Sequence, residues 1–190
     1  MATIDRLTEK AKAVCVYGAS SEKIAEAYKE AAYRCGAAIA RSGHPLVCGG
    51  GRQGLMRCAI EGALSEGGTA IGVLPQFMVE RSWQHPALTR MIATEGMHER
   101  KRTMAELSMG VVACPGGCGT LEELLEIITW RQLNLWSGPI VILNVDGYYD
   151  PLVEMLQRTI DQGFRRSDRE ALWSVATDAE EAVRKVVNGE

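Results

Sequence analysis

Residues Gly110–Glu123 (GVVACPGGCGTLEE) form a short apolar run that ends in proline and three glycines and then opens a helix. An earlier stretch, Pro45–Gly54 (PLVCGGGRQG), has the same layout. A buried strand feeding a glycine turn feeding a helix is the repeating unit of a parallel α/β sheet. Outward from these two anchors, the apolar patterning predicts strands at Ala13–Tyr17, Pro45–Cys48, Thr69–Leu74, Met91–Thr94, Gly110–Cys114 and Ile140–Asn144, with a last one at Leu172–Val175. Between them it predicts helices over about 22–41, 54–66, 98–108, 121–134, 151–162 and 179–187. Gln76–Thr89 is the least regular segment and reads as a loop over a site. Strands alternating with helices imply right-handed crossovers and helices on both faces of one mostly parallel sheet. The expected fold is therefore a single doubly wound, Rossmann-like α/β domain spanning residues 1–190, with residues 1–12 loosely held.

The composition fits that class. The chain has 190 residues, 46% hydrophobic and 24% charged, and a formal net charge of -3. A net negative charge gives no basic field for a polyanion, so nucleic acid is not an expected partner. No apolar run reaches the length needed to span a bilayer, and no secretory leader is visible, so the expected setting is cytoplasmic with no membrane partner. The six cysteines contain no CxxC pair and no zinc spacing with histidine; they are expected to be reduced, with no metal bound.

In such sheets ligands bind beyond the carboxyl ends of the strands, where helix N-termini aim unpaired N–H groups at an anion. Gly49, Gly51 and Gly54 match GxGxxG spacing in the correct setting, and Gly116, Gly117, Gly119 and Thr120 occupy the equivalent place after a later strand. A dinucleotide site would need a carboxylate at the end of the next strand, which here reads Gly72-Val73-Leu74-Pro75. The GK[ST] of a triphosphate-binding loop is also missing. A nucleoside monophosphate fits better, without a further cofactor.

Two segments carry charge next to these loops. Met97-His98-Glu99-Arg100-Lys101-Arg102 places three cations at a helix start, against the dipole. They read either as a solvated face, with Arg102 pairing Glu106, or as arginine set to hold phosphate or ribose oxygens. Thr120-Leu121-Glu122-Glu123 reads either as a capping box, Glu123 returning to the Thr120 N–H, or as a carboxylate placed in the phosphate turn to handle water or cationic charge. His44 and His85, each before a proline, read as structural. Leu121, Leu124, Leu125, Ile128, Trp130, Leu133 and Trp136 cover more than one helical face, which suggests burial against a second subunit.

Taken in order and spacing, Gly49-Gly50-Gly51-Arg52-Gln53-Gly54-Leu55-Met56, Met97-His98-Glu99-Arg100-Lys101 and Pro115-Gly116-Gly117-Cys118-Gly119-Thr120-Leu121-Glu122-Glu123 resemble the LOG family. These are the cytokinin riboside 5'-monophosphate phosphoribohydrolases, long mislabelled as lysine decarboxylases. The resemblance runs from about Val14 to Val187. It implies hydrolysis of the N-glycosidic bond of AMP or N6-modified AMP to free base and ribose 5-phosphate, by a homodimer with sites near the interface. It also implies catalytic roles for Arg100 and Glu123. Substrate binding is implied for Ser20, Gly49, Gly50, Gly51, Gly54, Met56, Met97, Lys101, Gly116, Gly117, Gly119 and Thr120. The chain departs from the family at Cys118, where many members have tyrosine, and at Tyr17-Gly18-Ala19-Ser20, where the usual strand end is Cys-Gly-Ser. A non-catalytic carrier of a nucleotide or of molybdenum cofactor is the alternative on the same fold. Lysine decarboxylation finds no support, since nothing marks a Schiff-base lysine with its partners.

Overall fold

Seven strands line up in the order β4-β3-β2-β1-β5-β6-β7, every pair parallel. The computed structural model describes residues 13–164 and 171–190, and the expectation for residues 1–12 lies outside them. The strands are β1 (Ala13–Tyr17), β2 (Leu46–Cys48), β3 (Ala70–Pro75), β4 (Arg90–Thr94), β5 (Ser108–Ala113), β6 (Ile140–Leu143) and β7 (Ser174–Ala176). The helices are α1 (Glu26–Arg41), α2 (Gly54–Ser65), α3 (Gln76–Glu80), α4 (Met97–Leu107), α5 (Cys118–Gln132), α6 (Asp150–Asp161) and α7 (Ala179–Asn188). The doubly wound α/β fold expected from the alternating pattern is the fold observed.

Strand side chains alternate between two apolar layers, as the two-residue period requires. Val14, Val16, Leu46 and Cys48 pack with α1, α2 and α7. Cys15, Tyr17, Val47 and Val73 pack with α4, α5 and α6 on the other face. Buried on both faces, the central strands read as unbroken apolar runs, which is why they were legible. Helices α1 and α2 approach until backbones touch: a Cβ on Gly62 would overlap the Tyr33 carbonyl.

The chain leaves β1 toward β2 and β5 toward β6, in opposite directions across the sheet. That reversal opens a crevice at the carboxyl ends of β1 and β5. The largest differences from the sequence expectation lie at α1, α5 and the segment 76–89. α1 begins at Glu26 and not near Glu22, because the Glu22 carboxylate turns away to meet α2. α5 begins at Cys118 and not Leu121, with Gly117 as its N-cap. The irregular segment 76–89 contains the short helix α3, followed by Ser82 at φ 56°. No helix among the described residues is long and apolar enough to cross a membrane.

Candidate active site

The crevice widens into a cavity of about 620 Å³, inside the range of small-molecule sites. Its walls come from the turns after β1, β2, β3 and β5 and from the start of α4.

The turn after β5 has its carbonyls occupied and its amides open. The hydroxyl of Tyr149 donates to the Cys114 carbonyl (2.8 Å), and that of Tyr148 donates to the Gly116 carbonyl (2.7 Å). The first helical bond of α5 runs from the Leu121 N–H to the Gly117 carbonyl (3.0 Å). Among the described residues the N–H groups of Cys118, Gly119 and Thr120 have no hydrogen-bond acceptor. They point from a helix N-terminus at the cavity, where the macrodipole favours an anion.

At the turn after β2 the protein's own groups occupy the start of the helix. The Gly54 N–H, at the start of α2, donates to the Glu22 carboxylate (3.0 Å), and the Leu55 N–H donates to the Ala19 carbonyl (2.8 Å). The protein's own carboxylate thus sits where an anion would bind, and this amide holds its pKa below the ordinary glutamate range, with help from Arg57. Farther along the same turn, the Arg52 N–H donates to the Trp83 carbonyl and the Gly50 carbonyl accepts from the His85 N–H. The GxGxxG turn therefore anchors the 82–86 segment, which brings Trp83 to the cavity wall. Gly54 adopts φ +64° and lies against Ala19 and Ser20, with no room for a Cβ.

Arg100 and Glu123 meet on the cavity wall as a nearly buried ion pair, 7% and 9% exposed, Nη1 to Oε1 at 2.8 Å. The Arg100 Nε also donates to the Val73 carbonyl (2.9 Å), which ties the guanidinium to β3. Its remaining edge lies against Gly49, where a Cβ would overlap it. Burial raises the Glu123 pKa, and the Arg100 charge offsets only part of that rise. A pair this dry is not explained by stability, because desolvating both charges costs about as much as their attraction returns. A carboxylate perturbed by burial and opening onto a cavity marks Glu123 as a candidate working group.

The structure removes the capping-box reading of Glu123 and the solvated-face reading of Arg100 and Lys101. Glu123 reaches Arg100 and not the Thr120 N–H, and the N-cap Gly117 makes no side-chain cap bond, so there is no capping box. Arg100 and Lys101 are buried and paired, while Arg102, exposed, pairs with Glu106 at 3.6 Å as a surface residue would. His85 is buried, its Nδ1 accepting from the Ala87 N–H.

Of the residues singled out for binding, Ser20, Gly49, Gly51, Met56, Met97, Gly117, Gly119 and Thr120 line the cavity with Arg100 and Glu123. Gly50, Gly54, Gly116 and Lys101 stand behind it. Gly50 faces Gly72 of β3, a Cβ on Gly116 would meet the Thr120 side chain, and Lys101 pairs with Glu122 and Glu126. Sequence reasoning did not find Tyr148, Tyr149, Met78 or Trp83. The two tyrosines stood in an unassigned turn between a strand and a helix, and Trp83 in a segment without periodicity.

The family model described as "possible lysine decarboxylase" matches residues 56–186. A cytokinin riboside 5'-monophosphate phosphoribohydrolase of Oryza sativa subsp. japonica is 38% identical, over 91% of this chain and 72% of its own length. One from Arabidopsis thaliana is 36% identical, over 95% and 84%. Among solved structures, the molybdenum cofactor carrier protein of Chlamydomonas reinhardtii superposes with a TM-score of 0.70 at 28% identity, covering 95% of this chain and 98% of that one. The molybdenum cofactor binding protein of Rippkaea orientalis gives 0.74 at 24% identity over 95% and 98%, a likeness of fold alone.

Proposed function

The chain belongs to the LOG family of phosphoribohydrolases, and on that premise we propose that it hydrolyses the N-glycosidic bond of AMP or N6-modified AMP. The observation that carries this reading is the buried Arg100–Glu123 pair on a cavity wall that also holds the open amides of Cys118, Gly119 and Thr120. The phosphate binds those amides and the Thr120 hydroxyl, and this contact holds the ribose against the ion pair. Cleavage breaks the bond between the ribose carbon and the base nitrogen and forms a bond from that carbon to a water oxygen. Positive charge builds on the ribose on the way, and the Glu123 carboxylate stabilises it. Glu123 also takes the proton of the attacking water and passes it on to the departing base, which restores the carboxylate. Arg100 holds Glu123 in place on the wall of the cavity that takes the nucleotide. No metal enters this scheme, and among the described residues no cluster of His, Cys, Asp and Glu could hold one.

Incubating the protein with AMP and with isopentenyl-AMP should release ribose 5-phosphate and free base. Absence of product from both would end the reading. The carrier alternative draws on the Chlamydomonas neighbour. Tight molybdenum cofactor binding without turnover of either nucleotide would favour it.

The protein acts as a cytoplasmic homodimer in this reading. Leu124 and Ile128 are buried in the chain's own core and Trp136 donates to the Ala105 carbonyl, but Leu125, Leu133 and Leu135 remain exposed along one edge of α5 and the turn after it. A second copy is the partner that would cover them. Sedimentation as a monomer at micromolar concentration would remove the dimer.

A further inference from the structure

Adjacent residues of α4 face adjacent residues of α5. Arg100 takes Glu123, while Lys101 takes Glu122 and, at 3.1 Å, Glu126. The Lys101 side chain is only 5% exposed and does not line the cavity. Burial works to lower its pKa, but the two carboxylates outweigh burial and hold the amine above its ordinary value. Glu122 does line the cavity, within the first turns of the helix whose amides stand open. Two carboxylates, Glu122 and Glu123, therefore line a site suited to an anion, and the two buried cations offset them.

We propose that Lys101 is a positioning residue for phosphate binding, acting by tethering and neutralising the Glu122 carboxylate so that it does not face the bound phosphate. This rests on the reading of the α5 turn as a phosphate site. It differs from direct phosphate binding by Lys101, because the lysine then acts only through Glu122. The Glu122 side chain is more than half exposed even when paired, and released from its tether it is free to turn into the cavity, where like charges repel. Glu126 does not line the cavity, so it is the internal control.

Calorimetry with AMP and with adenosine, which lacks the phosphate, separates the roles. Lys101→Met should weaken AMP binding about tenfold and change adenosine binding less than about twofold. Adding Glu122→Gln to that variant should restore AMP affinity; adding Glu126→Gln, the same change in charge, should not. Equal weakening of AMP and adenosine would overturn the proposal as a general packing defect. Failure of Glu122→Gln to restore AMP binding, or equal restoration by both glutamines, would also overturn it. A wild-type chain that binds adenosine and not AMP would remove the phosphate site itself, a result separate from any of these.

Discussion

Two glycine turns flank the same cavity and differ in what meets the helix that each one opens. The turn after β2 has the better-known spacing, yet its helix start is filled by the Glu22 carboxylate and its backbone pairs with the 82–86 segment. The turn after β5 has its carbonyls held by Tyr148 and Tyr149 and its amides open. Glycine spacing reports that a backbone comes close to something. Which hydrogen-bonding groups are already occupied decides whether that something is a ligand or the protein itself.

The sharpest way to break this comparison is to remove the charge carried by the open turn. Glu123→Gln should lower turnover roughly 10²–10⁴-fold while AMP still binds, read as ribose 5-phosphate release and by calorimetry. Because breaking a buried pair destabilises the fold, thermal melting of the variant must show a folded protein. The same carboxylate sets a pH dependence. In the proposed mechanism Glu123 works ionised, and its folded-state pKa is raised by burial, so activity should be lost as pH falls through that raised value. The acid limb of kcat/KM should stand above the ordinary glutamate range; a limb at or below that range would show that another group titrates.

Gly49→Ala probes the turn after β2 at the one place where it touches the chemistry. A methyl group there displaces the Arg100 guanidinium and should cost about 10- to 100-fold, mainly in kcat. Thr120→Val removes one hydroxyl from the open turn and should raise KM for AMP about tenfold with kcat little changed. The smallest effect is expected at the carboxylate that meets the turn after β2. Glu22→Ala should shift KM less than about twofold, while lowering the melting temperature at neutral pH. That loss should fade in acid, because the lowered pKa of Glu22 makes its contribution present above the unfolded value and lost as pH falls through the folded one. A KM shift at Glu22 matching that at Thr120 would erase the distinction between the turns.

The fold was open to reading because central parallel strands are buried on both faces and show as apolar runs such as those at Ala13–Tyr17 and Ile140–Leu143. Arg100 and Glu123 could be singled out by their place beside glycine turns, but their pairing could not, since it joins helices 23 positions apart in the chain. The division of labour between the turns was hidden for the same reason. Glu22 looked like the first residue of a helix, and only the folded chain shows it 3.0 Å from the Gly54 amide. Tyr148 and Tyr149 carried no pattern at all, because their task is to satisfy two carbonyls more than thirty residues earlier.

The division itself is best tested by a crystal structure of the Glu123→Gln chain soaked with AMP. Phosphate oxygens within hydrogen-bond distance of the Gly119 and Thr120 amides are expected, with the glycosidic carbon beside residue 123 and Glu22 still on the Gly54 amide. Phosphate at the start of α2, with Glu22 displaced, would contradict it.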